Sequence, residues 1–282
     1  MNRIDRIFRD LRSASAGAAE GAAQGKALMP FITAGDPDIA TTGELLPALE
    51  QAGASVVELG IPFSDPIADG PVIEASMAHA LRQGLRVHDV FEQVAAVRSK
   101  VDLGLVAMVS YSLVHRMGLD RFIDDAKSAG LDGFILPDLP LEESQPAREA
   151  VAKAGLILSM LIAPNTPIER ARRIASASSG FLYVISRAGI TGERAELPPE
   201  LPRRIQRLRE ATDLPVAVGF GLSSAEQVRD VVAVADAAIV GSAIVRQVAA
   251  HREQGGPAVV DAVASFTREL ASGLPGRTAV RG

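Results

Sequence analysis

Short apolar, β-branched runs recur along the chain at 28–33, 55–60, 103–109, 133–137, 156–163, 181–186, 214–219 and 237–241. Each has the length of a strand and is bounded by charge, Gly or Pro. Near-continuous apolar runs of this size fit strands covered on both faces, as in a parallel sheet. Between them lie segments with helical spacing, such as Val90, Phe91, Val94 and Val97 within 87–100, and Val228, Val231 and Val232 within 225–234. Strand and helix alternate, and eight such units are the number that closes a (β/α)8 barrel. A doubly wound open sheet is the alternative use of the same units. The expected architecture is a single α/β domain over 1–282, a (β/α)8 TIM barrel with an extra N-terminal helix. In that helix Ile4, Ile7, Phe8 and Leu11 share one face, which could plug the bottom of the barrel. The Ala-, Gly- and Ser-rich stretch 13–24 reads as a flexible connector, so that 1–27 precedes the barrel, and 273–282 reads as a frayed tail.

A length of 282 residues, 48% hydrophobic and 22% charged, suits one barrel with a sizeable core. No apolar stretch approaches the roughly 20 residues of a membrane span, and Met1 to Arg12 alternates charges with apolar residues, unlike a signal peptide. A cytoplasmic protein is the expectation. The absence of cysteine excludes disulfides, thiolate nucleophiles and cysteine-bound metals. A net charge of −5 with 4% aromatic residues offers neither a phosphate-tracking stripe nor a stacking surface for nucleic acid, so the expected ligand is small.

Barrel active sites are built where the strands end at their carboxyl termini. Two groups of loops stand out there. The first is ELGIPFSDPIADGP, 58–71, in which Glu58 leaves a strand beside Val56, Val57 and Leu59 and is followed by Asp65, Asp69 and three prolines. Proline stiffens a loop that must hold carboxylates in place. The flanking apolar residues imply that Glu58 is buried, which raises a carboxyl pKa toward the range useful for proton transfer; an ion pair with an arginine is the alternative. Asp65, followed by Pro66, is equally read as a turn cap. The second group is Ala188-Gly189-Ile190-Thr191-Gly192, Gly219-Phe220-Gly221 and Gly241-Ser242. Glycines let backbone N–H groups approach an anion, and barrels often bind phosphate in the loops after strands seven and eight. Tight turns would use the same glycines.

Absences narrow the reaction. Lys26, Lys100, Lys127 and Lys153 fall before the first strand or within helical segments, so none is placed to form a Schiff base. His79, His88, His115 and His251 are scattered, with only His115 near a strand end, and read mostly as helix-surface residues rather than metal ligands. Neither a dinucleotide fingerprint nor a Walker lysine motif occurs. Carboxylates and a tyrosine are left as the chemical groups.

The segments PFITAGDP, VELGIPFSDPIADGP, FILPDLP, YVISRAGITG, VGFGLS and IVGSAIV resemble, in order and spacing, the tryptophan synthase α chain over about residues 28–250. The resemblance implies cleavage of indole-3-glycerol phosphate to indole and glyceraldehyde 3-phosphate. It also implies an α2β2 heterotetramer in which indole passes to a pyridoxal-phosphate-dependent β subunit, with no cofactor in this chain. By motif position Glu58 matches the family's catalytic glutamate and Asp69 the aspartate that hydrogen-bonds the indole N–H. Tyr183 matches a pocket tyrosine, and Phe31 and Ile135 an apolar wall for the ring. Gly192, Gly221, Gly241 and Ser242 match the phosphate cradle, with Gly219 and Phe220 in the same loop motif, and Thr191 lies in the loop the family closes over substrate. One stretch departs from the pattern. After the third strand, where many members have an aromatic residue followed shortly by Asn, this chain has Ser110-Tyr111-Ser112-Leu113, on the side that faces β in the family. Other readings are a different phosphate-binding barrel enzyme, a non-catalytic regulatory subunit, and a stand-alone lyase that releases free indole.

Overall fold

The computed structural model describes residues 1–13, 25–64, 70–186, 198–219 and 221–276. Its strands are β1 (Ala27–Thr33), β2 (Val56–Gly60), β3 (Gly104–Met108), β4 (Gly133–Ile135), β5 (Ile157–Ser159), β6 (Leu161–Ile162), β7 (Leu182–Ile185), β8 (Val216–Gly219) and β9 (Ala237–Val240). All pair in parallel, in the order β5-β4-β3-β2-β1-β9-β8-β7-β6. The two ends of that order, β5 and β6, are consecutive pieces of one run interrupted at Met160. The nine segments are thus the eight expected runs with the fifth divided, and the chain itself carries the sheet round into a barrel.

The helices are α1 (Arg3–Ser13), α2 (Ile39–Gln51), α3 (Pro71–Arg82), α4 (Val87–Val97), α5 (Tyr111–Met117), α6 (Leu119–Ala129), α7 (Gln145–Ala154), α8 (Ile168–Ala177), α9 (Leu201–Arg209), α10 (Ala225–Val234), α11 (Ser242–His251) and α12 (Gly256–Ala271). The spacing within 225–234 gives α10 with the same bounds, whereas 87–100 divides into α4 and a 3-10 turn, Arg98–Lys100. The sequence did not single out α3, α5 or α11, which follow β2, β3 and β9 on the carboxyl side of the sheet. Connector residues 14–24 lie outside the described residues. The tail holds its place further than its composition suggests, because Leu274 is buried against the core.

Alternation along the strands sorts the core into two layers. Leu28, Ile32, Val57, Leu59, Val216 and Val218 join the large cluster between sheet and helices. Ala27, Met29, Val56, Val106, Ile135, Ile157, Tyr183, Ala217 and Ile239 form a second cluster inside the barrel, and Ile4 and Phe8 of α1 belong to it. Helix α1 is therefore the plug that its apolar face predicted, with Phe8 lying 6.1 Å from Phe181 between ring centroids.

Two matching carboxylate clamps fasten that plug. Asp132, just before β4, accepts a 2.9 Å hydrogen bond from the Leu105 N–H and donates its own N–H to the Leu105 carbonyl. Asp236, just before β9, treats Val216 the same way, accepting at 2.8 Å and donating at 2.8 Å. Each is flanked by an arginine at the end of a preceding helix, Arg98 at 3.5 Å and Arg209 at 3.0 Å. Each also meets one end of α1, through Arg3 at 2.8 Å and Arg12 at 3.9 Å. The repetition places equivalent anchors on opposite sides of the barrel floor. Asp132→Ala is expected to destabilise the protein by about 2 to 4 kcal/mol, because a buried charged acceptor and its network are lost at once. Urea midpoints read the loss, and a change below about 0.5 kcal/mol would contradict the clamp.

Candidate active site

The strand register brings the expected residues to one level of the barrel. Phe31 lies opposite Glu58, Glu58 opposite Val106, Met108 opposite Ile135, and Gly219 opposite Ile239. Because Val56 belongs to the interior cluster, the side chain two residues on, Glu58, also points inward. It is 0% exposed. Neither carboxylate oxygen has a hydrogen-bond partner among the described residues, and no arginine among them forms the ion pair considered from sequence. Burial alone pushes its carboxyl well above the ordinary carboxylate range. Burial thus favours the protonated acid, and a protonated carboxyl carries a hydrogen-bond donor.

The walls around Glu58 follow from close approaches. The tip of the Phe31 ring occupies the space that a side chain on Gly60 would need, which explains a glycine at the end of β2. Ile135 is fully buried, and Tyr183 is almost so. The Tyr183 hydroxyl reaches β8, where a Cβ on Gly219 would come within 2.9 Å of it. At the far side Gly241 directly follows β9, and a Cβ there would sit 3.7 Å from Ile73 and 3.8 Å from Phe31, so the glycine is adjacent to the same wall. Ser242 opens α11, a helix of 10 residues whose first N–H groups have no intrahelical partners. Those groups and the helix dipole favour an anion. Gly221 has φ +83°, a left-handed conformation that accounts for glycine by itself.

Phe31, Glu58, Ile135, Tyr183, Gly219 and Gly241 therefore share the upper interior of the barrel, with Ser242 and Gly221 on the loops above. Asp65, Asp69, Thr191, Gly192 and Phe220 lie outside the described residues. Sequence reasoning missed two inward polar groups, Thr33 and Ser159, whose buried hydroxyls have no hydrogen-bond partner among the described residues. Their signal was a polar residue at the end of β1 and another two positions after Ile157 in β5. It also missed α3, whose Ile73 and Met77 pack with Val245 of α11 over Phe31.

The remaining candidates fall away from this level. His88 and His115 are exposed, while His79 and His251 are only partly so. Among the described residues no group of three or more His, Cys, Asp or Glu is placed to hold a metal ion. Lys26 donates to the Ala235 carbonyl at 2.8 Å on the barrel floor. The departing stretch 110–113 forms the start of α5, where Ser110 donates to Asp138 at 2.7 Å and the Tyr111 N–H donates to the same carboxylate at 2.7 Å. That carboxylate sits at the amino end of the helix, a favourable place for negative charge. Among the described residues no helix is long and apolar enough to cross a membrane.

Comparison with known proteins agrees with this geometry. Residues 18–274 match the family described as tryptophan synthase alpha chain. The tryptophan synthase alpha chain of Caldanaerobacter subterraneus subsp. tengcongensis is 44% identical over 249 residues, which is 88% of this chain and 91% of that protein. That of Prochlorococcus marinus is 46% identical over 225 residues, 79% of this chain and 82% of the other. The crystal structure of tryptophan synthase subunit alpha from Legionella pneumophila superposes with a TM-score of 0.85 at 33% identity, covering 97% of this chain and 98% of that one. A chain of the tryptophan synthase complex from Pyrococcus furiosus gives a TM-score of 0.79 at 35% identity, covering 86% and 97%. A family match across nearly the whole barrel, with relatives more than 40% identical over most of their length, means that this chain belongs to the tryptophan synthase α chain family, the lyases that cleave indole-3-glycerol phosphate.

Proposed function

We propose that Glu58 is the proton donor and acceptor for cleavage of indole-3-glycerol phosphate in this chain, and the observation that carries the reading is its complete burial with no hydrogen-bond partner among the described residues. The protonated carboxyl gives its proton to C3 of the indole ring, which turns the ring nitrogen into an electron sink. As the bond from C3 to the glycerol carbon breaks, its electron pair returns to the ring, and the resulting carboxylate accepts the proton of the substrate hydroxyl. Indole and glyceraldehyde 3-phosphate leave with Glu58 in its starting state. Asp69, by its place in the motif, accepts a hydrogen bond from the indole N–H and stabilises the positive charge that develops there. Phe31, Ile135 and Tyr183 hold the ring. Gly192, Gly219, Phe220, Gly221, Gly241 and Ser242 receive the phosphate, and Thr191 belongs to a loop that excludes water.

This chemistry draws on side chains alone and needs no cofactor in the α chain. A pyridoxal-phosphate-dependent β subunit is the proposed recipient of indole, in a cytoplasmic α2β2 assembly; the complex described for Pyrococcus furiosus supports a partnered state. Release of free indole by the isolated chain is the second reading, and the unusual start of α5, with Ser110 tied to Asp138, is the observation that favours it.

Glu58→Gln is expected to lower indole formation by at least about 100-fold while preserving the fold. The same change has a stability signature. A folded-state pKa above the unfolded value means that the native state binds more protons, so the glutamate's contribution to stability declines as pH rises from the ordinary carboxylate range toward the raised value. The glutamine variant is therefore expected to melt higher than the parent at neutral pH, with the gap shrinking in acid. Near-normal turnover, or a lower melting temperature at neutral pH, would contradict the assignment.

Ser242→Asp separates the phosphate site from helix stability. A carboxylate at the start of α11 suits the helix dipole yet repels a bound anion. Calorimetry is expected to show phosphate and substrate binding weakened by about 10-fold or more with no loss of melting temperature. Unchanged affinity would remove Ser242 from the cradle. Titrating a tryptophan synthase β subunit with and without a substrate analogue tests the partner. Reciprocal tightening by about 5- to 150-fold, with faster indole formation, is expected of a coupled α subunit. Full activity alone and no complex would mark the free-indole lyase.

A further inference from the structure

We infer that Asp36 is a positioning residue for this reaction, pinning α3 to α11 so that the two ends of the active site keep one spacing. The inference rests on the proposed site. Asp36 is 1% exposed, in the loop that leaves β1 just above Thr33. Its carboxylate is gripped from two elements. Ser76, in the middle of α3, donates its hydroxyl to Oδ2. Arg252, directly after α11, places Nη2 2.8 Å from the carboxylate. His79 of α3 is the next neighbour, with Nε2 4.0 Å from Oδ1.

The helices so joined begin at the places where chemistry is assigned. Helix α3 starts at Pro71, two residues after Asp69 in the sequence, and α11 starts at Ser242. Between these starts apolar side chains of the cluster over Phe31 join the two helices, with Ile73 and Met77 against Val245. Apolar contacts of that kind are non-directional and fix a separation better than a register. A buried carboxylate is costly unless paired; here both hydrogen bonds, from a hydroxyl on one helix and a guanidinium beyond the other, converge on Oδ2 while Oδ1 has the charge of the guanidinium nearby, and that pairing holds in one relative placement. Loss of either arm leaves the hydrophobic contact in place while allowing one helix start to shift. A displacement of about 1 Å far from the reacting atoms can cost about 100-fold in rate.

Each arm predicts its own kinetic signature. Ser76→Ala frees α3 and is expected to lower kcat for indole formation by about 10-fold, with calorimetric affinity for inorganic phosphate close to the parent's. Arg252→Met frees α11 and is expected to weaken phosphate affinity and raise KM by about 10-fold, acting on KM more than on kcat. Asp36→Asn is expected to show both effects, and adding Ser76→Ala to it is expected to change kcat little further, because the two residues act as one unit. The single arm variants keep Asp36, so they test the inference even where Asp36→Asn folds poorly. Arm variants that lower the melting temperature but retain kcat, KM and phosphate affinity in the folded protein would overturn it and reduce the cluster to a structural ion pair. Failure of the site itself reads differently, as normal turnover in Glu58→Gln and normal phosphate affinity in Ser242→Asp.

Discussion

A closed sheet of parallel strands leaves each side chain two destinations, the barrel interior or the layer beneath the helices. Every feature of the site depends on that alternation. It is what sends Val56 and Glu58 to the same side, and what separates the cluster inside the barrel from the cluster under the helices. A shift of one residue in the β2 register would turn Glu58 toward the helices and put Leu59 in the site.

The interior it creates is apolar at the bottom and reactive at the top. Ile4 and Phe8 seal the floor, held by carboxylate clamps that grip neighbouring strands and both ends of the plug helix. With water kept out from below, the carboxyl of Glu58 sits in a medium that disfavours its charge, and desolvation alone accounts for its raised pKa. The same burial that disfavours the charged carboxylate favours the protonated acid. The cost is local, and the many fully buried strand residues around it absorb it.

The upper rim is organised differently. Here the chain adds α3 and α11 to the ordinary alternation, and these meet over Phe31 between Glu58 and the proposed phosphate loops. One buried aspartate touches both through Ser76 and Arg252. A site built from separate strand ends needs such cross-links, because strand pairing fixes the strands and leaves the loops above them to be placed by side chains.

The runs of apolar residues by themselves marked eight alternating units and an amphipathic helix ahead of them, because each rests on a period that the chain carries locally, while closure into a barrel rather than an open sheet was decided by the fold. The flanks of Glu58 announced its burial, and the glycines at 219 and 241 announced close approaches, though the structure assigns Gly219 to the Tyr183 hydroxyl rather than to a turn. The motifs around 58–71 added the family. What no local pattern contained was which residues meet across the ring. Asp132 and Asp236 are 104 positions apart in the numbering yet make the same clamp, and Asp36 finds Arg252 across most of the chain. Thr33 and Ser159 look like ordinary strand-end polar residues until the closed sheet turns both inward with no hydrogen-bond partner among the described residues. Periodicity is written in neighbours along the sequence and can be read there, whereas the pairing of buried charges depends on ring closure, which only the folded chain provides.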